Sequence, residues 1–271
     1  MKWQRLIEII QSIIKSLRKK KKSIEGKDTS TSRVSKKKMA TDYKAGLKLI
    51  NVQEPIDLRN ELPRHRSKKY KQRPISQIKR IVVHTTDWAT TPLRIAKYDI
   101  KPNHISETGC PAITYHEMIG KDGTLYSTLP YNETSWHVGM WNPGSLGIAL
   151  CYKCSDKQGK DVRAPKRILL HTLETRCGEI CLKLGLTPDK VVGHRELKGT
   201  GWTMFKGSKR LRKTCPGIKV DLKLVRRNVA RYMQVVLGAD GFYTGTVDGL
   251  FGPKSKQAFS AYLSQVKNEK L

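Results

Sequence analysis

A chain of 271 residues can bury a sizeable core, as one large domain or two smaller ones. Its 53 Lys and Arg against 23 Asp and Glu leave a net charge of +30, and residues 1–77 supply +15 of it through 22 basic and 7 acidic side chains. Such a balance excludes cationic partners and favours polyanions (nucleic acid, anionic lipid or acidic wall polymers) without choosing among them.

Residues 1–18 place Trp3, Leu6, Ile10, Ile13 and Leu17 three and four apart, one apolar stripe of a helix, with Arg5, Glu8, Gln11 and Lys15 outside it. Those polar residues interrupt the apolar run, so no secretory signal is expected, and the helix is too short and too charged to span a bilayer. The cationic run Arg18-Lys19-Lys20-Lys21-Lys22 follows. A basic amphipathic helix over 1–22 fits a membrane surface, and it fits equally a coiled-coil or docking helix. Residues 23–77 are rich in Ser, Thr, Lys and Arg with little periodicity and read as a basic linker or arm.

From residue 78 the pattern turns globular. Ile81-Val82-Val83 is a buried strand, and Thr91-Pro92 opens a helix through Tyr98, with proline at a favourable first-turn position. Ala112–Ile119 and Thr124–Ser127 flank Lys121-Asp122-Gly123, a hairpin signal. Leu146–Tyr152 is a further strand, and 165–184 a long helix closed by Gly185. Strands interleaved with helices predict an α/β fold with a mixed central sheet flanked by helices. Among the six cysteines, Cys177 and Cys181 lie on the inner stripe of the long helix, so they read as buried thiols rather than as a second metal site with Cys151 and Cys154. With no secretory signal, a dense disulfide framework is not expected.

The segment Val191–Gly217 is rich in Gly, Lys and Arg, has little apolar periodicity, and is bracketed by His194 and Cys215. Imidazole and thiolate together favour zinc over magnesium or calcium. A third ligand must come from elsewhere, and His84, at the end of the Ile81–Val83 run, is the candidate. Three protein ligands with an open fourth position is the catalytic zinc pattern.

Seven separated motifs stand in one order: I-V-V-H-T-T-D at 81–87, G-C-P-A-I-T-Y-H at 109–116, D-G-T-L-Y at 122–126, S-W-H-V-G at 135–139, G-S-L-G-I at 144–148, V-V-G-H-R-E at 191–196 and K-T-C-P-G at 213–217. In this, residues 78–221 resemble the zinc-dependent N-acetylmuramoyl-L-alanine amidases, the superfamily of phage lysozyme-type amidases and peptidoglycan recognition proteins. The resemblance implies zinc ligation by His84, His194 and Cys215, and catalytic roles for Tyr115 and Lys213. It also implies a substrate groove lined by Trp136 and His137, with bacterial peptidoglycan as partner. Some members carry a glutamate base where this chain has Ala149, so the tyrosine-plus-lysine version fits better. His116 is expected on the opposite strand face from Tyr115 and structural. His65, His104 and His171 match no role.

Residues 222–271 hold two amphipathic helical stretches joined by D-G-L-F-G-P at 248–253, and resemble the small helical peptidoglycan-binding module found beside wall hydrolases. The resemblance implies a phage endolysin or virion-associated lysin, acting from the host cytoplasm on the cell envelope or packaged in the virion. In it, residues 1–77 would contact an anionic membrane, nucleic acid or a virion protein. The alternative is a non-catalytic peptidoglycan-binding or structural virion component docked through its basic N-terminal arm.

Overall fold

The computed structural model describes residues 54–88, 90–103, 105–155, 163–197, 202–203, 211–212 and 214–268. The expected helix over 1–22, the first part of the basic arm, His104 and Lys213 lie outside them. The described residues fall into two units, 54–233 with Asp248–Gly252, and Gln234–Val247 with 253–268.

In the first unit six strands form one sheet: β1 (Ile56–Asp57), β2 (Arg80–Thr85), β3 (Glu117–Ile119), β4 (Leu125–Ser127), β5 (Ser145–Leu150) and β6 (Val191–Gly193), in the order β1-β4-β3-β5-β2-β6. β2 pairs in parallel with both β5 and β6, and β3 pairs in parallel with β5. β3 and β4 form the expected antiparallel hairpin, shorter than its apolar flanks because Ala112–His116 stays outside the ladder. The sheet is therefore mixed, as the interleaved pattern predicts. Ile81, Val82 and Val83 are all fully buried in β2, which explains a strand written as an unbroken apolar run rather than an alternation.

Helix α1 (Pro92–Asp99) begins where Thr91 Oγ1 accepts the amide of Arg94, and α2 (Arg167–Leu184) ends at Gly185, whose φ of 69° lets the chain turn out through a left-handed cap. Cys177 and Cys181 are buried free thiols. Between His194 and Cys215 a two-stranded antiparallel ribbon, β7 (Trp202–Thr203) with β8 (Leu211–Arg212), occupies part of a stretch in which the sequence shows no period.

Two boundaries differ from the sequence reading. Residues 54–77 are not a linker: Ile56 and Asp57 pair with Tyr126 and Ser127, and Leu62 and Tyr70 are buried in the core with Ile95, Ile113 and Met118. Arg73 is buried too, its guanidinium donating to the carbonyls of Tyr131, Asn142, Pro143 and Ser145 at 2.8–3.0 Å. Backbone carbonyls rather than an acidic partner satisfy it, so no charge pattern in the sequence announces its burial. The second boundary falls inside α3 (Leu222–Ala239), between Met233 and Gln234, and not at residue 222. Asn228 donates to Glu174 of α2 at 2.9 Å, and Arg226 donates to the Val191 carbonyl at 3.2 Å and to Glu196 at 2.9 Å. The first three turns of α3 thus belong to the first unit.

The second unit takes the end of α3 together with α4 (Pro253–Asn268). Buried Gln234 donates to Tyr243 Oη at 3.2 Å and to Ser255 Oγ at 3.1 Å, and Phe242 meets Tyr262 edge-on at 5.6 Å. Among the described residues no helix is long and apolar enough to cross a membrane.

Burial at the end of α1 raises the Asp99 carboxyl to about 6, against the opposing hydrogen bonds from Thr114 N and Oγ1 at 2.8 and 2.9 Å. Its folded pKa lies above the unfolded value of 3.8, so stability from this group is complete below that value and lost as pH rises through about 6. The full span is about 3 kcal/mol. Asp99→Asn, which keeps an acceptor for Thr114, should match or exceed the parent's stability at pH 7 and lose that advantage near pH 4. Urea unfolding at the two pH values checks it. A substituted chain whose stability relative to the parent is lower at pH 7 than at pH 4 contradicts it.

Candidate metal centre and active site

β2 and β6 run side by side in parallel, with Val83 opposite Gly193, so the next residue on each strand is a histidine. His84, near the end of β2, and His194, just past β6, stand side by side, their ring centroids 4.8 Å apart. The chain after β6 turns at once through His194–Glu196, and the Glu196 carboxylate accepts the Gly193 amide at 2.9 Å. Cys215 reaches the same place from a distant segment. The Arg195 amide donates to the Cys215 carbonyl at 2.9 Å, and the Arg195 guanidinium donates to the carbonyls of Thr214 and Val220 at 3.2 and 2.7 Å. Tyr152 Oη donates to the Pro216 carbonyl at 2.6 Å, and the Thr85 amide points at Cys215 Sγ from 3.4 Å.

The three side chains each offer a ligand atom, and these atoms all lie within 4.8 Å of one another. Cys215 Sγ stands 3.6 Å from His84 Nδ1. Zinc–nitrogen bonds of about 2.0–2.1 Å and a zinc–sulfur bond of about 2.3 Å, held at the tetrahedral angle, separate N and S by about 3.6 Å. The His84–Cys215 pair stands at that separation, and two imidazoles with a thiol are a donor set that suits zinc. Among the described residues this is the one group of three or more metal-binding side chains so placed.

Around the triad, the Tyr115 ring lies 5.2 Å from that of His84. Burial, then the neighbouring Cys215 thiol, hold the Tyr115 hydroxyl far above its ordinary pKa, so it keeps its proton. His137 Nδ1 is 2.8 Å from His84 Nε2, and burial followed by the charges of His116 and His194 hold its ring well below the usual imidazole range, so it is neutral. Trp136 is half-exposed, its ring edge-on to Tyr70 at 5.8 Å. The structure thus brings His84, His194, Cys215, Tyr115 and His137 together. Trp136 adjoins His137 in the chain, and Lys213 lies outside the described residues.

The alternation expected for His116 does not apply, since β3 starts only at Glu117. Its Nδ1 accepts the Gly147 amide at 3.0 Å and its Nε2 faces the Glu133 carbonyl at 2.9 Å, with Arg73 beside it at 3.0 Å. Burial, then the Arg73 charge, lower its pKa to about 3. It is a buried structural histidine, yet its ring is 5.9 Å from that of His137.

Two supporting residues were not singled out from the sequence. Asp87, three residues past His84 and at a φ of 50°, accepts the amides of Cys154 and Ser155 at 3.0 and 2.9 Å and the Ser155 hydroxyl at 2.7 Å. It ties the exit of β2 to the chain after β5. Its place in the I-V-V-H-T-T-D motif was the available hint. Asn142 Oδ1 accepts the amides of His137 and Val138 at 3.0 and 2.7 Å, a local turn visible only once the backbone is closed.

Fold and site together define a mixed α/β domain with a three-ligand candidate metal centre at the ends of two parallel strands. Residues 73–218, just over half of the chain, match the family described as N-acetylmuramoyl-L-alanine amidase, and the chain belongs to that family. Peptidoglycan-recognition protein SC1a of Drosophila melanogaster is 39% identical over 46 residues, 17% of this chain and 25% of that protein. The SC1a/b protein of Drosophila simulans is 36% identical over 50 residues, 18% and 27% of the two chains. The chain thus spans about a quarter of the length of the curated relatives it matches. Among solved structures, the Ph2119 endolysin from a Thermus scotoductus bacteriophage is similar at 25% identity and a TM-score of 0.44, covering 65% of this chain and 99% of that one. Bumblebee PGRP-SA is similar at 19% identity and a TM-score of 0.47, covering 64% and 93%.

Proposed function

We propose that the chain hydrolyses the amide between N-acetylmuramic acid and L-alanine in bacterial peptidoglycan, with His84, His194 and Cys215 holding a zinc ion. The observation that carries this reading is the convergence of two imidazoles and one thiol within 4.8 Å of one another in a member of the amidase family. A zinc ion held there supplies a Lewis acid and lowers the pKa of water to about 7. The protein's part is to fix the donors from β2, β6 and the Cys215 turn, and to stabilise the charge that develops on the scissile carbonyl oxygen. Tyr115, which keeps its proton, is suited to donate a hydrogen bond to that oxyanion. Lys213, two residues before Cys215, would add a positive charge, and Trp136 and His137 would border the sugar-peptide substrate.

The lytic setting belongs to the same proposal: an endolysin or virion-associated lysin that meets the envelope from the host cytoplasm or from the virion. Residues 1–53, with 15 basic and 4 acidic side chains, would serve as the anionic-surface or virion contact. The second unit would be a wall-binding module.

Metal analysis of the purified chain paired with digestion of cell walls tests the reaction. One zinc per chain and new L-alanine amino termini, without new reducing sugars, are expected. Tyr115→Phe should keep the zinc and lower turnover by roughly 10²–10³. Reducing ends without new amino termini would show a glycosidase and sink the amidase reading.

A further inference from the structure

We infer that His137 is a positioning residue: it fixes the tautomer and orientation of His84, with Gly147 leaving the space that allows it. This rests on the proposed zinc site and gives His137 a role distinct from lining the groove.

His84 uses its two ring nitrogens on opposite sides. Nδ1 faces Cys215 Sγ at 3.6 Å, and Nε2 faces His137 Nδ1 at 2.8 Å. A neutral imidazole that ligates a cation through Nδ1 must carry its proton on Nε2. At 2.8 Å only one nitrogen of the His84–His137 pair can hold the proton, so His137 Nδ1 must accept. The reverse arrangement, with His137 donating, would put the His84 proton on Nδ1, across the face turned to Cys215. Ligation through Nδ1 and this hydrogen bond therefore call for the same tautomer of His84. An acceptor behind a ligating histidine sets its ring orientation and raises its basicity.

The position of His137 is itself over-determined. Asn142 Oδ1 accepts its backbone amide at 3.0 Å, which anchors the loop that carries the ring. The ring lies flat against β5 at Gly147, where a Cβ would come within 2.8 Å of His137 Nδ1 and 2.9 Å of Cε1. Those are ring atoms in a buried site, so a methyl group there displaces the imidazole rather than being absorbed.

The test measures zinc affinity of the full chain by competition with a chromophoric chelator, in the absence of substrate. His137→Leu, which fills the volume without an acceptor, should weaken zinc binding roughly 10–100-fold. His137→Asn, whose Oδ1 stands close to the position of Nδ1, should recover most of that loss. Gly147→Ala should resemble the leucine variant although it removes no polar group. The wild-type chain supplies a reading that needs no variant to fold: nitrogen-15 spectra should show His84 protonated on Nε2 with zinc bound. Wild-type zinc affinity in both His137→Leu and Gly147→Ala, or zinc on Nε2 of His84, overturns the inference and leaves the proposed amidase standing. Absence of zinc binding by the wild type overturns both.

Discussion

Arg176→Met is expected to lower the unfolding free energy by about 3–5 kcal/mol, the largest stability loss foreseen for a single change in this domain. Glu117 is fully buried on β3, and its carboxylate takes two hydrogen bonds from Arg176 Nε at 3.0–3.1 Å and one from Nη2 at 2.6 Å. Tyr131 Oη donates to the same carboxylate at 2.5 Å, and Arg176 also donates to Glu179 at 2.8 Å. Burial disfavours the Arg176 charge, but the Glu117 carboxylate and its neighbours outweigh it and hold the guanidinium protonated. Removing the guanidinium leaves a buried carboxylate with one neutral donor, which is the costly case; removing both charges is not. The double change Glu117→Gln with Arg176→Met keeps an acceptor for Tyr131 and should regain most of the loss. Urea unfolding at pH 7 decides it: a single-variant cost under about 1 kcal/mol would mean that solvent reaches the pair.

Cys215→Ser should remove zinc and with it hydrolysis. A serine hydroxyl stays protonated at neutral pH and is a poor, hard ligand beside two imidazoles, whereas a cysteine thiolate is a strong zinc donor. Losing the ion removes several kcal/mol of transition-state stabilisation, a fall on the order of 10³-fold or more in rate. The fold should survive, because the Cys215 turn is also held by Arg195 to the carbonyls of Thr214 and Val220 and by Tyr152 to that of Pro216. Zinc should therefore raise the melting temperature of the parent and leave that of the variant unchanged. Stoichiometric zinc with parental turnover in the serine chain would remove Cys215 from the ligand set.

Much of the scaffold was legible because its signals are local. Ile81–Val83 reads as a buried strand without any partner in view, and the Thr91 cap and the Gly185 stop mark helix ends that backbone sterics impose on any fold. Residues 54–77 were misread for the opposite reason. β1 is two residues long, too short for any period to show, and Arg73 is satisfied by carbonyls that only the folded chain supplies. The boundary inside α3 was hidden because its apolar stripe runs unbroken from Val225 to Val236, while the residues it packs against change at Met233.

The sequence by itself determined the donor chemistry: which residue types could bind a metal, that the Ile81–Val83 strand would deliver His84, and that a long polar stretch separates His194 from Cys215. Tertiary structure decided the geometry. The parallel register that sets Val83 against Gly193 brings two histidines 110 positions apart to one point, and the Arg195 contacts bring the thiol to them. It also decided which nitrogen of His84 faces the thiol and which faces His137. Residue identity fixes what a side chain can do, but strand register and hydrogen bonds across the sheet fix which atoms meet. Those are long-range contacts that no local window of the chain contains.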